Sequence, residues 1–218
     1  MELLKNMTMR NYKCIFEESK FYNVYNRGNN RENLFYKYAN YEYFLRKFDS
    51  YLSDCLDVYS FSLMPNHFHF LVRVKEEIAK ENPSLKAMDS LSEKTMDSLN
   101  ERISEQFRKF FITYSQAINK QQGRVGSLFQ KNFKRIEITS ERYFAYLVYY
   151  IHANPQLHRI VDDFRLYPWS SYKRILTGEP SKLKKEFVIE WFDSKSNYIY
   201  SHNRQIELDS IRDLMIED

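Results

Sequence analysis

Residues 59–74, YSFSLMPNHFHFLVRV, constrain the fold more than any other stretch. Two runs rich in Phe, Leu and Val flank a short polar centre at Pro65, Asn66 and His67, with a second histidine at His69. Aromatic and β-branched residues favour strands, and a proline inside such a run marks a bend. The pattern predicts two strands joined by a tight turn. Residues two apart in a strand share a face. His67 and His69 then project together while Phe68 points the other way, toward a core. Two imidazoles side by side are either a pair of metal ligands or ordinary strand residues.

About eighty residues on, ERYFAYLVYYIHANP (141–155) carries apolar residues at Phe144, Leu147, Val148 and Ile151. That spacing predicts a helix, capped by Ser140, with Glu141 in its first turn and Pro155 as its stop. Tyr150 and Asn154 are four apart, so they lie one above the other. A tyrosine hydroxyl is a nucleophile when a metal or cationic neighbours favour its phenolate. An asparagine oxygen one turn away can complete a metal site. Tyr149 points about 100° from Tyr150 and reads as packing; His152 falls on another face.

Taken in order, MPNHFHFLV and YYIHANP resemble the single-tyrosine HUH transposases, and within them the REP-associated tyrosine transposase branch. His67-Phe68-His69 meets the His-hydrophobic-His motif. The stretches YNVYNRGNNRENLF (22–35), SLFQKNF (127–133) and YPWSSY (167–172) are similar to that family too, and the resemblance spans roughly 20–175. It implies a DNA transposase that cuts and rejoins hairpin-containing single-stranded DNA through a metal-assisted 5′-phosphotyrosine intermediate. It further implies Tyr150 as nucleophile, His67, His69 and Asn154 as ligands of Mg2+ or Mn2+, and single-stranded DNA with hairpin ends as partner. Family members of the insertion-sequence branch are dimers, so the resemblance also admits a homodimer.

Composition agrees with a soluble, intracellular protein. Among 218 residues there are only 4 Gly, and no phosphate-cradling glycine motif occurs. Cys14 and Cys55 show no scaffold spacing, which suits a reducing, cytoplasmic setting. No apolar run approaches the ~20 residues of a membrane span, so no membrane partner is expected. The net charge of +4 permits nucleic-acid binding where cations cluster. Two clusters present themselves. The turn RGNNREN (27–33) offers Arg27, Asn29 and Arg31 to phosphates, or is a solvated turn. The segment 128–138, read as a strand, alternates aromatics with Lys131, Lys134 and Arg135, as single-strand binding requires and as plain strand amphipathicity also produces.

The remaining elements follow from periodicity. Residues 21–26 read as a strand, 41–56 as an amphipathic helix and 104–120 as a second one. Residues 75–103, charged and echoing MDSL, read as an insertion. The expected fold is therefore α+β, a ferredoxin-like or RRM-like β-α-β-β-α-β core with helices on one face of an antiparallel sheet, followed by the tyrosine helix. The expected domain spans 1–175. An accessory tail, 176–218, holds EFVIEWF as strand or short helix and IELDSIRDLMIED as a last helix. Two rivals keep the same fold: a module that binds hairpin DNA or RNA without cutting, and a metal-dependent phosphodiesterase in which water attacks.

Overall fold

The computed structural model describes residues 14–76 and 92–204, with backbone alone over 92–98. Strand β1 (Phe21–Arg27), helix α1 (Tyr38–Leu52), strands β2 (Leu56–Met64) and β3 (His67–Val74), helix α2 (Ser92–Gln122) and strand β4 (Lys134–Ile138) form the expected core. Helix α3 (Glu141–Leu157) follows, then α4 (Tyr172–Leu176), α5 (Lys185–Trp191) and α6 (Lys195–Asn203). The sheet order is β2-β3-β1-β4, antiparallel at every pairing. The β-α-β-β-α-β order with this strand arrangement is the ferredoxin-like pattern.

The sheet has helices on both faces, where one covered face was expected. Phe68, Phe70, Val72 and Val74 of β3 join Tyr22 and Val24 of β1 against Phe44 and Phe48 of α1 and Phe107 and Phe110 of α2. Leu71 of β3 and Tyr59 of β2 face the other way, into a second core with Phe144, Leu147, Val148 and Ile151 of α3. Strand β3 is buried on both faces along nearly its whole length, with Phe68, Phe70, Val72 and Val74 on one and His67, His69, Leu71 and Arg73 on the other. Cover for the second face comes from the apolar stripe of α3, which packs on Leu71 and Tyr59. Val188 of α5, Phe192 at its C-cap and Tyr198 of α6 complete the second core.

The free edge of β2 is closed by later chain. Leu63 N donates to Trp169 O, Ser171 N to Phe61 O and Lys184 N to Val58 O, each at 2.9 Å. These bonds occupy backbone groups that an edge strand otherwise presents to any passing strand. Trp169 and Tyr172 are buried, and Trp169 stacks on Tyr41 at 4.4 Å.

Several boundaries differ from the sequence expectation. Helix α1 ends at Leu52, because Leu56 already pairs with Val74 as the start of β2. Helix α2 begins at Ser92, so its first turns lie inside the stretch expected to be an insertion. Strand β4 covers 134–138 and not 128–138, because Asn132, at φ 61°, turns the chain out of extended geometry. Helix α3 runs through Pro155 to Leu157. A proline lacks only one N–H, and Asn154 Nδ2 supplies a side-chain bond to the Tyr150 carbonyl at 3.0 Å in the turn it weakens. EFVIEWF resolves to helix α5. The expected last helix, 206–218, lies outside the described residues, as do residues 1–13.

Candidate active site

Three strands set the floor of the site. Cross-strand partners share a face. Tyr25 of β1 pairs with His69 of β3 and with Lys134 of β4, so one row reads Lys134-Tyr25-His69. The next row places Arg27 beside His67. These five side chains, with Asn26, Arg31 and Gln130, line a cleft of ≈ 230 Å³ whose wall, among the described residues, has no carboxylate. Tyr25 stacks on His69 at 5.2 Å and 13°, and the Lys134 ammonium lies 6.0 Å from the Tyr25 ring.

The turn after β1 is anchored so that its cations reach the cleft. Gly28 N donates to Asn66 O, and Leu34 N and Phe35 N both donate to Pro65 O. The 27–35 segment is thus tied to the bend between β2 and β3. A Cβ at Gly28 would run into the Glu32 carbonyl oxygen, so the close approach requires glycine. Asn30 and Arg31 adopt φ 53° and 60°, which folds Arg31 back over the mouth of the cleft.

Helix α3 lies across the histidines. The Tyr150 and His69 rings meet edge-on at 5.7 Å. Tyr150 is 2% exposed and is not part of the cleft wall. Asn154, one turn on, is fully buried. Its Nδ2 is spent on the Tyr150 carbonyl, while its Oδ1 makes no hydrogen bond. His67 Nε2 is also buried without a hydrogen bond. Asn154 nevertheless faces that imidazole and favours its protonated form. Two orphaned acceptor positions facing each other are what a cation between them would satisfy.

The histidine tautomers fit the same use. His67 Nδ1 lies 2.6 Å from Asn66 Oδ1, which can only accept, so Nδ1 carries the proton and Nε2 the lone pair. His69 Nδ1 has a longer contact, 3.4 Å, with Asn23 Oδ1. Burial, then the charges of His69, His158 and Arg27, hold His67 well below the usual imidazole range. Burial, His158 and Arg27 bring His69 down to about 3. Both rings are neutral at pH 7, as ligating imidazoles must be. Among the described residues no three His, Cys, Asp or Glu side chains gather into a ready metal cluster. The donor set that fits a cation is the imidazole pair with the Asn154 oxygen.

The structure therefore brings His67, His69, Tyr150, Asn154, Arg27, Arg31 and Lys134 to one place. The other predicted DNA contacts lie elsewhere. Asn29 Nδ2 donates to Ser127 O at 2.9 Å and ties two loops together. Lys131 lines an adjoining groove of ≈ 550 Å³ against α2, which shares Asn26 and Gln130 with the cleft. Arg135 points to the opposite sheet face, where Nε donates to Cys14 O and the guanidinium lies over Phe16 at 4.6 Å. Lys134 and Arg135 are adjacent in a strand, so only one of them can face the cleft.

Sequence reasoning missed Tyr25, Asn66 and Gln130, whose roles depend on strand pairing. It also missed His158, whose ring lies 4.6 Å from that of His67. Its spacing of four residues beyond Asn154 was the available signal.

His152 serves a different network. Its Nδ1 is 2.9 Å from His202 Nε2, its Nε2 is 2.7 Å from Ser171 Oγ, and His202 Nδ1 is 2.7 Å from Tyr198 O. A backbone carbonyl only accepts, so His202 Nδ1 donates. His202 Nε2 must then accept from His152 Nδ1, and His152 Nε2 accepts the Ser171 hydroxyl proton. The order of groups is that of a hydrolytic triad, but Ser171 is wholly buried and its Oγ already accepts from Phe61 N. The chain is a clasp between α3, α6 and β2.

Comparison with known proteins yields one kind of match. No protein-family model matches the chain, and no curated protein does. Among solved structures, it aligns with that of a REP-associated tyrosine transposase bound to a REP hairpin, at 18% identity and a TM-score of 0.51, covering 75% of this chain and 82% of that one. At that identity the likeness is one of fold. Among the described residues no helix is long and apolar enough to cross a membrane.

Proposed function

We propose that this protein cuts and rejoins single-stranded DNA with hairpin ends, as a transposase, through a 5′-phosphotyrosine intermediate on Tyr150. One observation carries the reading: Tyr150 and Asn154 of one helix face His67 and His69 of one strand, beside a cleft with three cationic side chains and no carboxylate. The structural neighbour, a tyrosine transposase with a bound hairpin, supports it through the shared fold.

In this reading Arg27, Arg31 and Lys134 hold the phosphates that flank the scissile one. His67, His69 and Asn154 hold a Mg2+ or Mn2+ ion. When bound, that ion draws charge from a phosphoryl oxygen and so lowers the barrier to attack. The Tyr150 oxygen forms a bond to phosphorus as the bond to the 3′ oxygen breaks. The phenol loses its proton and the departing 3′ oxygen gains one. One diester replaces another, so a later 3′ hydroxyl can reverse the step without ATP. Tyr150 is buried at rest, so α3 must shift or its side chain must swing for the oxygen to reach phosphate in the cleft.

That burial is also what favours a second reading, a hairpin-binding module that does not cut. A denaturing gel separates the two. Purified protein is incubated with labelled single-stranded hairpin DNA from its own genomic flanks, with Mn2+ or with chelator. A metal-dependent covalent protein–DNA band that Tyr150→Phe abolishes is the expected result. Cleavage without a covalent band, unaffected by Tyr150→Phe, would assign the attack to water. DNA that is retarded on a native gel yet uncut would assign the binding module.

A further inference from the structure

Tyr150, Asn154 and His158 recur every four residues along α3 and its C-cap. They stack on one helix face, and that face lies against β3. Tyr150 meets His69 at 5.7 Å, and His158 meets His67 at 4.6 Å and 71°. Between them stands Asn154, with its orphaned Oδ1 turned to the orphaned Nε2 of His67.

The spacing of the rings is informative. Two imidazoles on one ion, each nitrogen about 2.1 Å from it, hold their ring centres roughly 4.5–5.3 Å apart at octahedral to tetrahedral angles. The His67–His158 separation of 4.6 Å falls in that interval, while His67–His69 is wider at 5.8 Å. By this measure His158 is at least as well placed as the strand's own second histidine.

We propose that His158 is a further donor to the cation held by His67, His69 and Asn154, which makes the set three neutral imidazoles and one amide oxygen. The proposal rests on the cation-site reading given above. The three rings do not stand gathered as a three-histidine cluster, so His158 closes on the ion by turning about its own side-chain torsions. It is half-buried, at the C-cap of α3. A nitrogen-rich set without carboxylate prefers Mn2+, Co2+ or Zn2+ to Mg2+, a hard ion that takes oxygen ligands. Magnesium would then depend on substrate phosphate to complete its shell.

The test uses the full-length protein without DNA. Co2+ is titrated and followed by visible absorption and by calorimetry, with Mg2+ in parallel. The wild type should bind Co2+ at one site, and Mg2+ far more weakly. His158→Ala should weaken Co2+ binding roughly 10–100-fold, the range seen when support for a metal site is removed, and should alter the absorption bands. The metal-free variant should melt with the wild type, which excludes misfolding. Co2+ binding that is lost in His67→Ala but unchanged in His158→Ala would overturn this proposal alone. A wild type that binds no Co2+ would overturn it together with the cation site beneath it.

Discussion

Lowering the pH should loosen the clasp formed by His152 and His202. Both imidazoles are buried and neutral in the folded chain. Burial, partly offset by the Tyr198 carbonyl, brings His202 from 6.5 down to about 4, and burial and His202 hold His152 well below its usual range. Among the described residues the pair contacts Ser171, Tyr172, Tyr198, Phe192, Phe164 and Tyr149, none of which is a carboxylate that could favour the charged form. Because the folded pKa lies below the unfolded one, the unfolded chain binds more protons across the interval between them. Stability is complete above about pH 6.5 and falls as the pH drops toward 4. Each pKa unit is worth about 1.4 kcal/mol, so the shift of His202 alone, 6.5 to about 4, corresponds to roughly 3 kcal/mol lost. That is a large part of the ~5–15 kcal/mol by which a domain is stable. Urea unfolding at pH 7.5, 6.0 and 5.0 measures the fall. His67 and His69 are depressed in the same direction and add to it. The double variant His152→Phe/His202→Phe therefore isolates the clasp, and its stability should depend less steeply on pH than that of the wild type. Equal slopes would refute the reasoning, because the clasp would then contribute nothing to the proton balance.

Three further perturbations read other parts of the structure. Phe44→Ala removes a ring packed among Phe35, Phe68, Phe110 and Tyr114; a loss of about 3–5 kcal/mol in urea unfolding is expected for a buried phenylalanine. Arg31→Ala should lower affinity for single-stranded DNA and reduce the salt dependence of binding by about one phosphate contact, whereas Arg135→Ala, whose guanidinium bonds Cys14 O and Asn100 Oδ1 on the other sheet face, should lower the melting temperature and leave that salt dependence alone. Gly28→Ala should displace the 27–35 segment through its clash with Glu32 O, seen as lower stability together with weaker DNA binding.

Local rules made much of the fold legible. Alternation across 59–74 gave the hairpin and the shared face of His67 and His69, and four-residue spacing gave the pairing of Tyr150 with Asn154. The parts that escaped depend on contacts between elements. Nothing in LFQKNF reveals that Asn132 enters left-handed geometry and shortens β4. Lys134 and Arg135 are equally basic, and only the pairing of Lys134 with Tyr25 decides which one faces the cleft. The proline at 155 signals a stop, yet it is held inside a helix whose neighbouring turn gains the Asn154 side-chain bond. The second covered sheet face was not legible in β3, whose other face reads His67, His69, Leu71 and Arg73, and the ferredoxin-like pattern alone points to one covered face.

The chain contains two histidine pairs in helix or strand settings of similar burial, and their hydrogen bonding sets them apart. Around His152 and His202 the donors and acceptors form a closed sequence from the Ser171 hydroxyl to the Tyr198 carbonyl, so no lone pair is left to meet a ligand. Even the serine is engaged by the Phe61 amide. Around His67 and His69 the bonding is incomplete in a specific way. The Nδ1 side of His67 is anchored by Asn66, while Nε2 meets only the facing Asn154 oxygen and neither makes a regular hydrogen bond. Leaving a buried acceptor unmet costs roughly 1–3 kcal/mol, and a scaffold that only needed packing would gain by filling the position with apolar atoms. The unmet acceptors sit next to the cationic cleft formed by Arg27, Arg31 and Lys134. On the function proposed above, a cation would meet the open acceptors while the cationic cleft holds the phosphates. The saturated pair ties α3 to α6 and β2, and the unsaturated pair leaves acceptors open where α3 meets β3.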